Sequence, residues 1–116
     1  MQPNWFDEIP VGITVCDTKG VIISMNDRAA RIFKKSGGRE LIGKDMLGCH
    51  PEDAQKKILE LLEAKKSHAY TVEINGIKTL LYQSPWYEDG KFSGFVEFIL
   101  TLPDQMAQLT EIRWVK

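Results

Sequence analysis

Two short turn signals constrain the fold of this chain more than any other feature of its sequence. Asn75-Gly76 and Asp89-Gly90 are dipeptides typical of two-residue hairpin turns, because such turns need positive φ at both central residues. The segments on either side, 69–74, 77–87 and 92–102, are rich in β-branched and aromatic residues. The pattern predicts three antiparallel strands that follow one another as a meander.

The N-terminal part of the chain predicts a hairpin followed by a short helix. Residues 11–16 and 21–25 have the apolar pattern of strands, and the turn between them begins at Asp17 and ends at Gly20. Asn26 can accept hydrogen bonds from the free N–H groups of a helix that covers about 28–35.

The longest predicted helix begins at Pro51, a residue favoured at the first helical position. Ala54, Ile58, Leu61 and Leu62 fall on one side of this helix, which predicts an apolar face that packs on the rest of the fold. The chain has 116 residues, the size of one domain. We therefore expect a single α+β domain.

Composition and charge exclude several classes of partner. The chain has 15 Lys and Arg against 16 Asp and Glu, mixed along its length, so a nucleic-acid partner is not expected. It has no apolar run near the ~20 residues that cross a bilayer, so we expect a cytoplasmic protein without a membrane contact. Its two cysteines, Cys16 and Cys49, are too few for a disulfide framework and are expected to be buried reduced thiols.

Several short motifs occur in an order that resembles the PAS domain family. The motifs are the strand residues 8–17, Met25-Asn26-Asp27-Arg28-Ala29-Ala30, Leu41-Ile42-Gly43-Lys44, His50-Pro51-Glu52-Asp53 and Gly94-Phe95-Val96-Glu97-Phe98. The resemblance covers roughly residues 5–102. It implies a five-stranded antiparallel sheet in the order 2-1-5-4-3 with helices packed on one face. Residues 1–102 would then form the domain with an N-terminal cap, and 103–116 a C-terminal linker or signalling helix.

The resemblance also implies a sensory or signal-transduction role, with a cavity between the sheet and the helices. Two interpretations of that cavity stay open: side chains fill it, or it holds a ligand such as haem or a small metabolite. The candidate cavity residues are Phe33, Ile42, Met46, His50, Ile58, Leu62, Tyr82, Ser84 and Phe98. Side chains alternate along a strand, so only one of Gln83 and Ser84 can point inward, and Phe98 inward would place Phe95 outward.

Dimerisation and a signalling output are the partners that the resemblance implies. A homodimer would use the N-terminal cap and the outer sheet face through Trp5, Phe6, Ile9 and Phe95. An output domain or protein would be connected through residues 103–116.

Haem and catalysis are the alternatives to this function. His50 is the candidate axial ligand of a haem-based gas or redox sensor, and no other metal site is expected, since the Cys and His residues lack paired spacing. Cys49 and His50 could suggest a nucleophile and its base, but side chains of residues adjacent in sequence seldom point at each other. The sequence contains no catalytic motif. We expect no enzymatic activity.

Overall fold

A computed structural model describes residues 3–46 and 52–109, and it contains one five-stranded antiparallel sheet in the order β2-β1-β5-β4-β3. The strands are β1 Gly12–Cys16, β2 Ile22–Met25, β3 His68–Ile74, β4 Ile77–Glu88 and β5 Lys91–Thr101. Within the described ranges, the helices are α1 Trp5–Glu8, α2 Asp27–Ile32 and α3 Glu52–Ala64, and 3₁₀ turns cover Lys34–Ser36 and Gly38–Leu41. The predicted fold class and strand order are confirmed.

The two hairpin turns have the backbone that the sequence predicts. Asn75 and Asp89 have φ of 52° and 51°, and Gly76 and Gly90 both have φ of 78°. Positive φ at both central residues matches the right-handed twist of the flanking strands, which explains why β3, β4 and β5 pair as consecutive neighbours.

Strand β5 lies in the middle of the sheet and fixes which side chains share a face. Glu97 is paired with Thr14 of β1 and with Gln83 of β4, and Phe95 is paired with Cys16. Directly paired residues project to the same side. These residues lie on the inner face, which the helices cover.

The core forms where the first hairpin meets α2. Cys16, Ile22, Met25, Ala29 and Leu41 are buried in one cluster, and Phe33 and Met46 pack against it. Ala29 of α2 has no exposed surface, so α2 packs closely against the hairpin. The cluster therefore fixes the position of α2 on the inner face of the sheet.

Asn26 joins three elements by four hydrogen bonds and is fully buried. Its Oδ1 accepts from Ala29 N–H at 3.0 Å, the expected helix cap, and from Ile13 N–H at 2.9 Å. Its Nδ2 donates to the carbonyls of Phe6 at 2.8 Å and Val11 at 2.7 Å. Every donor and acceptor position of the amide is therefore used.

A charged group at the start of α2 holds α1 in place. The Asp7 carboxylate accepts from the Asp27 N–H at 3.1 Å and lies 3.5 Å from the Arg39 guanidinium. Arg39 also pairs with the Asp27 carboxylate and donates to the Met25 carbonyl at 2.8 Å. The N-terminal cap is thus anchored next to the first hairpin.

Gly94 allows β5 to approach β1 at the end of the sheet. It has φ of 142°, and a Cβ at this position would lie 1.9 Å from the Cys16 carbonyl oxygen. Trp86 is paired with Gly94, and its indole N–H donates to that same carbonyl at 2.9 Å. A side chain at residue 94 would separate these strands.

The segment after β5 has no regular structure up to residue 109. Residues 103–109 form no helix, and Met106 and Leu109 are exposed. No helix in the described ranges combines the length and apolar character needed to cross a membrane.

Candidate ligand cavity

Two adjoining cavities lie between the inner face of the sheet and α3. Their volumes are about 140 Å³ and about 40 Å³. Both are bordered by Thr14, Met46, Ile58, Gln83 and Glu97, so they form one site with two lobes. We call this site the α3 cavity.

The sheet side of the α3 cavity contains a row of polar side chains, Thr14, Glu97 and Gln83, next to apolar residues such as Phe95. Gln83 Nε2 donates to Glu97 Oε2 at 2.8 Å across β4 and β5. Thr14, the partner of Glu97 on β1, is buried, and its Oγ1 has no hydrogen-bond partner among the described residues. Native proteins seldom leave such an atom without a partner, because an unsatisfied buried hydroxyl costs about 1–3 kcal/mol.

The row continues to the edge strand through Tyr70 and His68. Burial and the nearby Glu97 carboxylate raise the pKa of the Tyr70 phenol, and a hydrogen bond with Gln83 lowers it in part. The His68 and Tyr70 rings lie 5.4 Å apart. Tyr70 therefore keeps its proton at neutral pH and can donate or accept a hydrogen bond next to Gln83.

The helical side of the α3 cavity is apolar. It is formed by Ile58, Leu61 and Leu62 of α3, with Phe33 and Met46 from the preceding segments. None of the described α3 side chains is fully buried. The helix is therefore packed less tightly than α2, which contributes the buried Ala29.

Cys16 borders the smaller lobe of the α3 cavity, but its thiol is unreactive. Its sulfur lies 3.8 Å from the Met46 sulfur. Burial, followed by the charges of Glu97, Asp17 and Asp45, raises the pKa of the Cys16 thiol to about 12. Because the thiolate is the nucleophilic form, this cysteine cannot serve as a nucleophile at neutral pH.

The structure brings part of the predicted cavity set together on the helical side. Phe33, Met46, Ile58 and Leu62 border the cavity, and their role in binding stays a prediction. Ile42 does not, and 39% of its surface is exposed. His50, together with Cys49 and Pro51, lies outside the described residues.

On the sheet side the predicted face was wrong. Tyr82, Ser84 and Phe98 lie on the outer face, where Tyr82 is paired with Phe98 and their rings are 6.4 Å apart. Phe95, predicted on the outer face, is buried on the inner face beside Cys16. Successive side chains of a strand point to opposite faces, so assigning one residue to the wrong face assigns all the other residues of that strand to the wrong face as well.

Three residues on the sheet side of the cavity were not predicted there, namely Thr14, Cys16 and Glu97, and Gln83 was given only as the alternative to Ser84. The signal that could have found them is the paired polar residues Thr14, Gln83 and Glu97, since a buried row of polar groups on three adjacent strands marks a specific site.

The outer face and α1 carry exposed aromatic and aliphatic side chains. Trp5 of α1, Ile23 of β2 and Tyr82 of β4 are 58%, 46% and 38% exposed. Phe6 and Ile9 are half-buried, and the Phe6 ring meets that of Trp5 at 5.9 Å. A continuous apolar patch on a small domain marks a contact surface, and these side chains are the ones such a patch would use.

Within the described ranges, no three His, Cys, Asp or Glu side chains come together as a metal site.

The sequence profile described as "PAS domain" matches residues 10–79. No match to the chain was found among the curated proteins.

Solved structures share the fold. The PAS domain of Bordetella pertussis BvgS has a TM-score of 0.63 at 16% identity, with 86% of this chain and 82% of that chain covered. The Aer2 receptor of Vibrio cholerae, described as a dual PAS-heme oxygen sensor, has a TM-score of 0.59 at 12% identity, with 80% and 95% covered. The Vibrio cholerae VqmA dimer, without its target DNA, has a TM-score of 0.66 at 18% identity, with 86% and 51% covered.

The fold and the profile match together define the class of the protein as a sensory domain of the signal-transduction type. The chain belongs to the PAS domain family. Domains of this family are generally sensory modules without enzymatic activity.

Proposed function

We propose that this PAS domain is a sensor that binds a small molecule in the α3 cavity. The observation that carries the proposal is Thr14 Oγ1, which is buried without a hydrogen-bond partner among the described residues and borders the cavity beside Gln83 and Glu97. A ligand with a hydrogen-bond donor would satisfy this oxygen, and its apolar part would contact Ile58 and Met46.

The size of the cavity limits the ligand. At about 30 Å³ for a group the size of a water molecule, the larger lobe of about 140 Å³ holds about five non-hydrogen atoms. Most small-molecule sites are larger, at ~300–1,000 Å³. The proposed ligand is therefore a small metabolite with a polar donor at one end and an apolar part at the other.

Haem does not fit the α3 cavity as described. The two lobes of about 140 Å³ and about 40 Å³ are far below the space of a macrocycle, and the sheet side presents the Glu97 carboxylate. The candidate axial ligand, His50, lies outside the described residues. We expect no Soret band after incubation of the purified domain with haem, and a band that disappears in His50→Ala would support the haem alternative instead.

The test of the ligand site is native mass spectrometry of the purified domain after incubation with a cell metabolite extract. Thr14→Val removes the hydroxyl and keeps the shape. Thr79→Val is the matched control, because Thr79 is also buried but its hydroxyl already donates to the Ile77 carbonyl at 3.1 Å. We expect a bound mass in the wild type and in Thr79→Val and its loss in Thr14→Val. Apo mass in all three proteins would contradict the proposal.

We also propose that the domain forms a homodimer through the outer sheet face and α1. The support is the exposed apolar surface of Trp5, Ile23 and Tyr82 beside Phe98. The VqmA structure with this fold is a dimer. A cytoplasmic location and an output partner reached through 103–116 belong to the same proposal.

Light scattering with size-exclusion chromatography tests the dimer. Phe98→Lys places a charge on the proposed interface. Leu59→Lys is the matched control, since Leu59 is 51% exposed on α3 in the helical layer. We expect a dimer mass for the wild type and Leu59→Lys and a monomer mass for Phe98→Lys. A monomer mass for the wild type at micromolar concentration would refute the proposed interface.

A further inference from the structure

A second cavity lies at the other end of the inner face, between α2 and the hairpin of β3 and β4. Its volume is about 300 Å³, twice that of the larger lobe of the α3 cavity. Among the described residues, none that lines this second cavity also borders the α3 cavity. We call it the hairpin pocket, and its chemistry is independent of the function proposed above.

Two arginines of α2 give the hairpin pocket a positive wall. Arg28 and Arg31 are three residues apart, so their side chains lie on the same side of the helix. Among the described residues the ion pairs involve Arg39 alone, so neither arginine has a carboxylate partner there. Arg28 Nε is buried and has no hydrogen-bond acceptor among the described residues.

An unmatched guanidinium N–H is a strong indication of a missing acceptor. A buried donor that belongs to a charged group costs more than a neutral one when it is left unpaired. Guanidinium groups match carboxylates in a bidentate geometry, and the match is stronger in a partly buried pocket than in water. The positive wall therefore favours an anionic group with two oxygens.

The remaining walls contain four isoleucines, with Pro10 and the polar residues Asn75, Thr79 and Thr101. Ile32 of α2 is 39% exposed, and Ile74 and Ile77, which flank the hairpin turn, are 42% and 51% exposed. Ile99 of the central strand lies at the base of the pocket and is buried. Isoleucines grouped around one concave site would lose contact with water if an apolar chain were bound there.

We propose that the hairpin pocket binds a small organic carboxylate with an apolar chain. The carboxylate accepts hydrogen bonds from Arg28 and Arg31, and the chain lies against Ile32, Ile74 and Ile77. A volume of about 300 Å³ holds about ten groups at ~30 Å³ each. A saturated monocarboxylate of about eight carbons has this size and chemistry.

The test is a titration of the isotope-labelled domain with sodium octanoate, followed by amide chemical shifts. We expect saturable shifts centred on 28–32 and 74–77, with a dissociation constant in the millimolar range or below. Octanol, which has the same chain without the charge, is expected to bind at least tenfold more weakly, because it lacks the charge-assisted hydrogen bonds.

Variants separate the charge of the pocket from charge in general. Arg28→Gln and Arg31→Gln are each expected to weaken octanoate binding about tenfold or more. Lys34→Gln is the matched control, since Lys34 is exposed just after α2 and does not line the pocket, and its affinity should stay within twofold of the wild type. If an arginine variant fails to fold by circular dichroism, Ile77→Glu gives the same test, because Ile77 is half exposed and a carboxylate there would repel the ligand.

Three results would overturn the proposal: shifts that map to the α3 cavity, equal affinity for octanol and octanoate, or binding unchanged in all pocket variants. A parallel sedimentation assay uses phosphatidylglycerol vesicles. Arginine-dependent binding to vesicles without saturable octanoate shifts would assign the two arginines to a lipid surface and refute a small-molecule site.

Discussion

Replacing Asn26 with Asp tests how far one buried amide holds the fold together. The change keeps the shape of the side chain and turns the donor Nδ2 into an oxygen. That oxygen would lie 2.8 Å from the Phe6 carbonyl and 2.7 Å from the Val11 carbonyl, where two hydrogen bonds are now donated. Both carbonyls would lose their donor and face a negative charge.

The size of the effect follows from these two contacts. Each buried acceptor left without its donor costs about 1–3 kcal/mol, so Asn26→Asp should lower the free energy of unfolding by about 2–6 kcal/mol at pH 7. For a domain of this length, about 4 °C of melting temperature corresponds to each kcal/mol. We therefore expect a decrease of about 8–24 °C.

The loss should depend on pH, with a sign that the geometry sets. Burial and the two carbonyls favour the protonated acid, whereas the N–H groups of Ile13 and Ala29, which donate to the other oxygen, favour the carboxylate. Because residue 26 is fully buried and faces two carbonyl oxygens, we expect the first effect to dominate and to raise the pKa of Asp at position 26 in the folded state above its unfolded value of about 3.9. The stability of the variant is then greatest below that value and falls as the pH rises towards the folded-state pKa. The slope between the two is up to about 1.4 kcal/mol per pH unit.

Urea unfolding followed by circular dichroism at pH 5 and pH 7 measures both effects. Asn75→Asp is the matched control, because it makes the same chemical change at an exposed turn residue with φ of 52°, which Asp also tolerates. The control should stay within about 0.5 kcal/mol of the wild type. A loss below 1 kcal/mol in Asn26→Asp, or one equal at both pH values, would show that the reasoning about the buried amide is wrong.

Three further substitutions test the sheet and the core. Gly94→Ala should lower the free energy of unfolding by about 3 kcal/mol or more, because its Cβ would lie 1.9 Å from the Cys16 carbonyl oxygen. Gly90→Ala, with open space around it, should lower it by about 1 kcal/mol. Equal losses in urea unfolding would contradict the close approach of β1 and β5. Trp86→Phe should cost about 1 kcal/mol through loss of the indole hydrogen bond of 2.9 Å, whereas a change of the same kind at the exposed Trp5 should have no measurable effect. In a Cys49→Ser background, the Cys16 thiol, with its pKa of about 12, should not react with a disulfide reagent at pH 8–10 until urea unfolds the domain, and rapid labelling of the folded protein would refute the assigned burial.

The sequence alone determined those parts of the fold that depend on local backbone chemistry. Asn75-Gly76 and Asp89-Gly90 predicted their turns because positive φ is a property of the residues themselves. The start of α2 at Asn26 was predicted for the same reason, since a side-chain cap to Ala29 is a contact within one turn. The number, order and pairing of the strands followed from these signals and the family motifs.

The tertiary structure decided which face of the sheet borders the cavity. Phe95, Val96 and Phe98 are all apolar, so alternation along β5 is compatible with either phase, and Glu97 gives no warning that a carboxylate lies on the buried side. Only the pairing of Glu97 with Thr14 and Gln83 shows that polar groups from three strands meet beneath α3.

Long-range contacts also gave two residues roles that their sequence neighbours do not reveal. Asn26 was predicted as a helix cap, but its hydrogen bonds to Phe6, Val11 and Ile13 come from residues that are 13 to 20 positions away. Arg28 was expected only as a polar residue of a short helix, and it borders a pocket because the β3–β4 hairpin folds back beside α2. Local chemistry sets where an element begins and ends, whereas the partner of a buried polar group is set by which distant segment is packed against it.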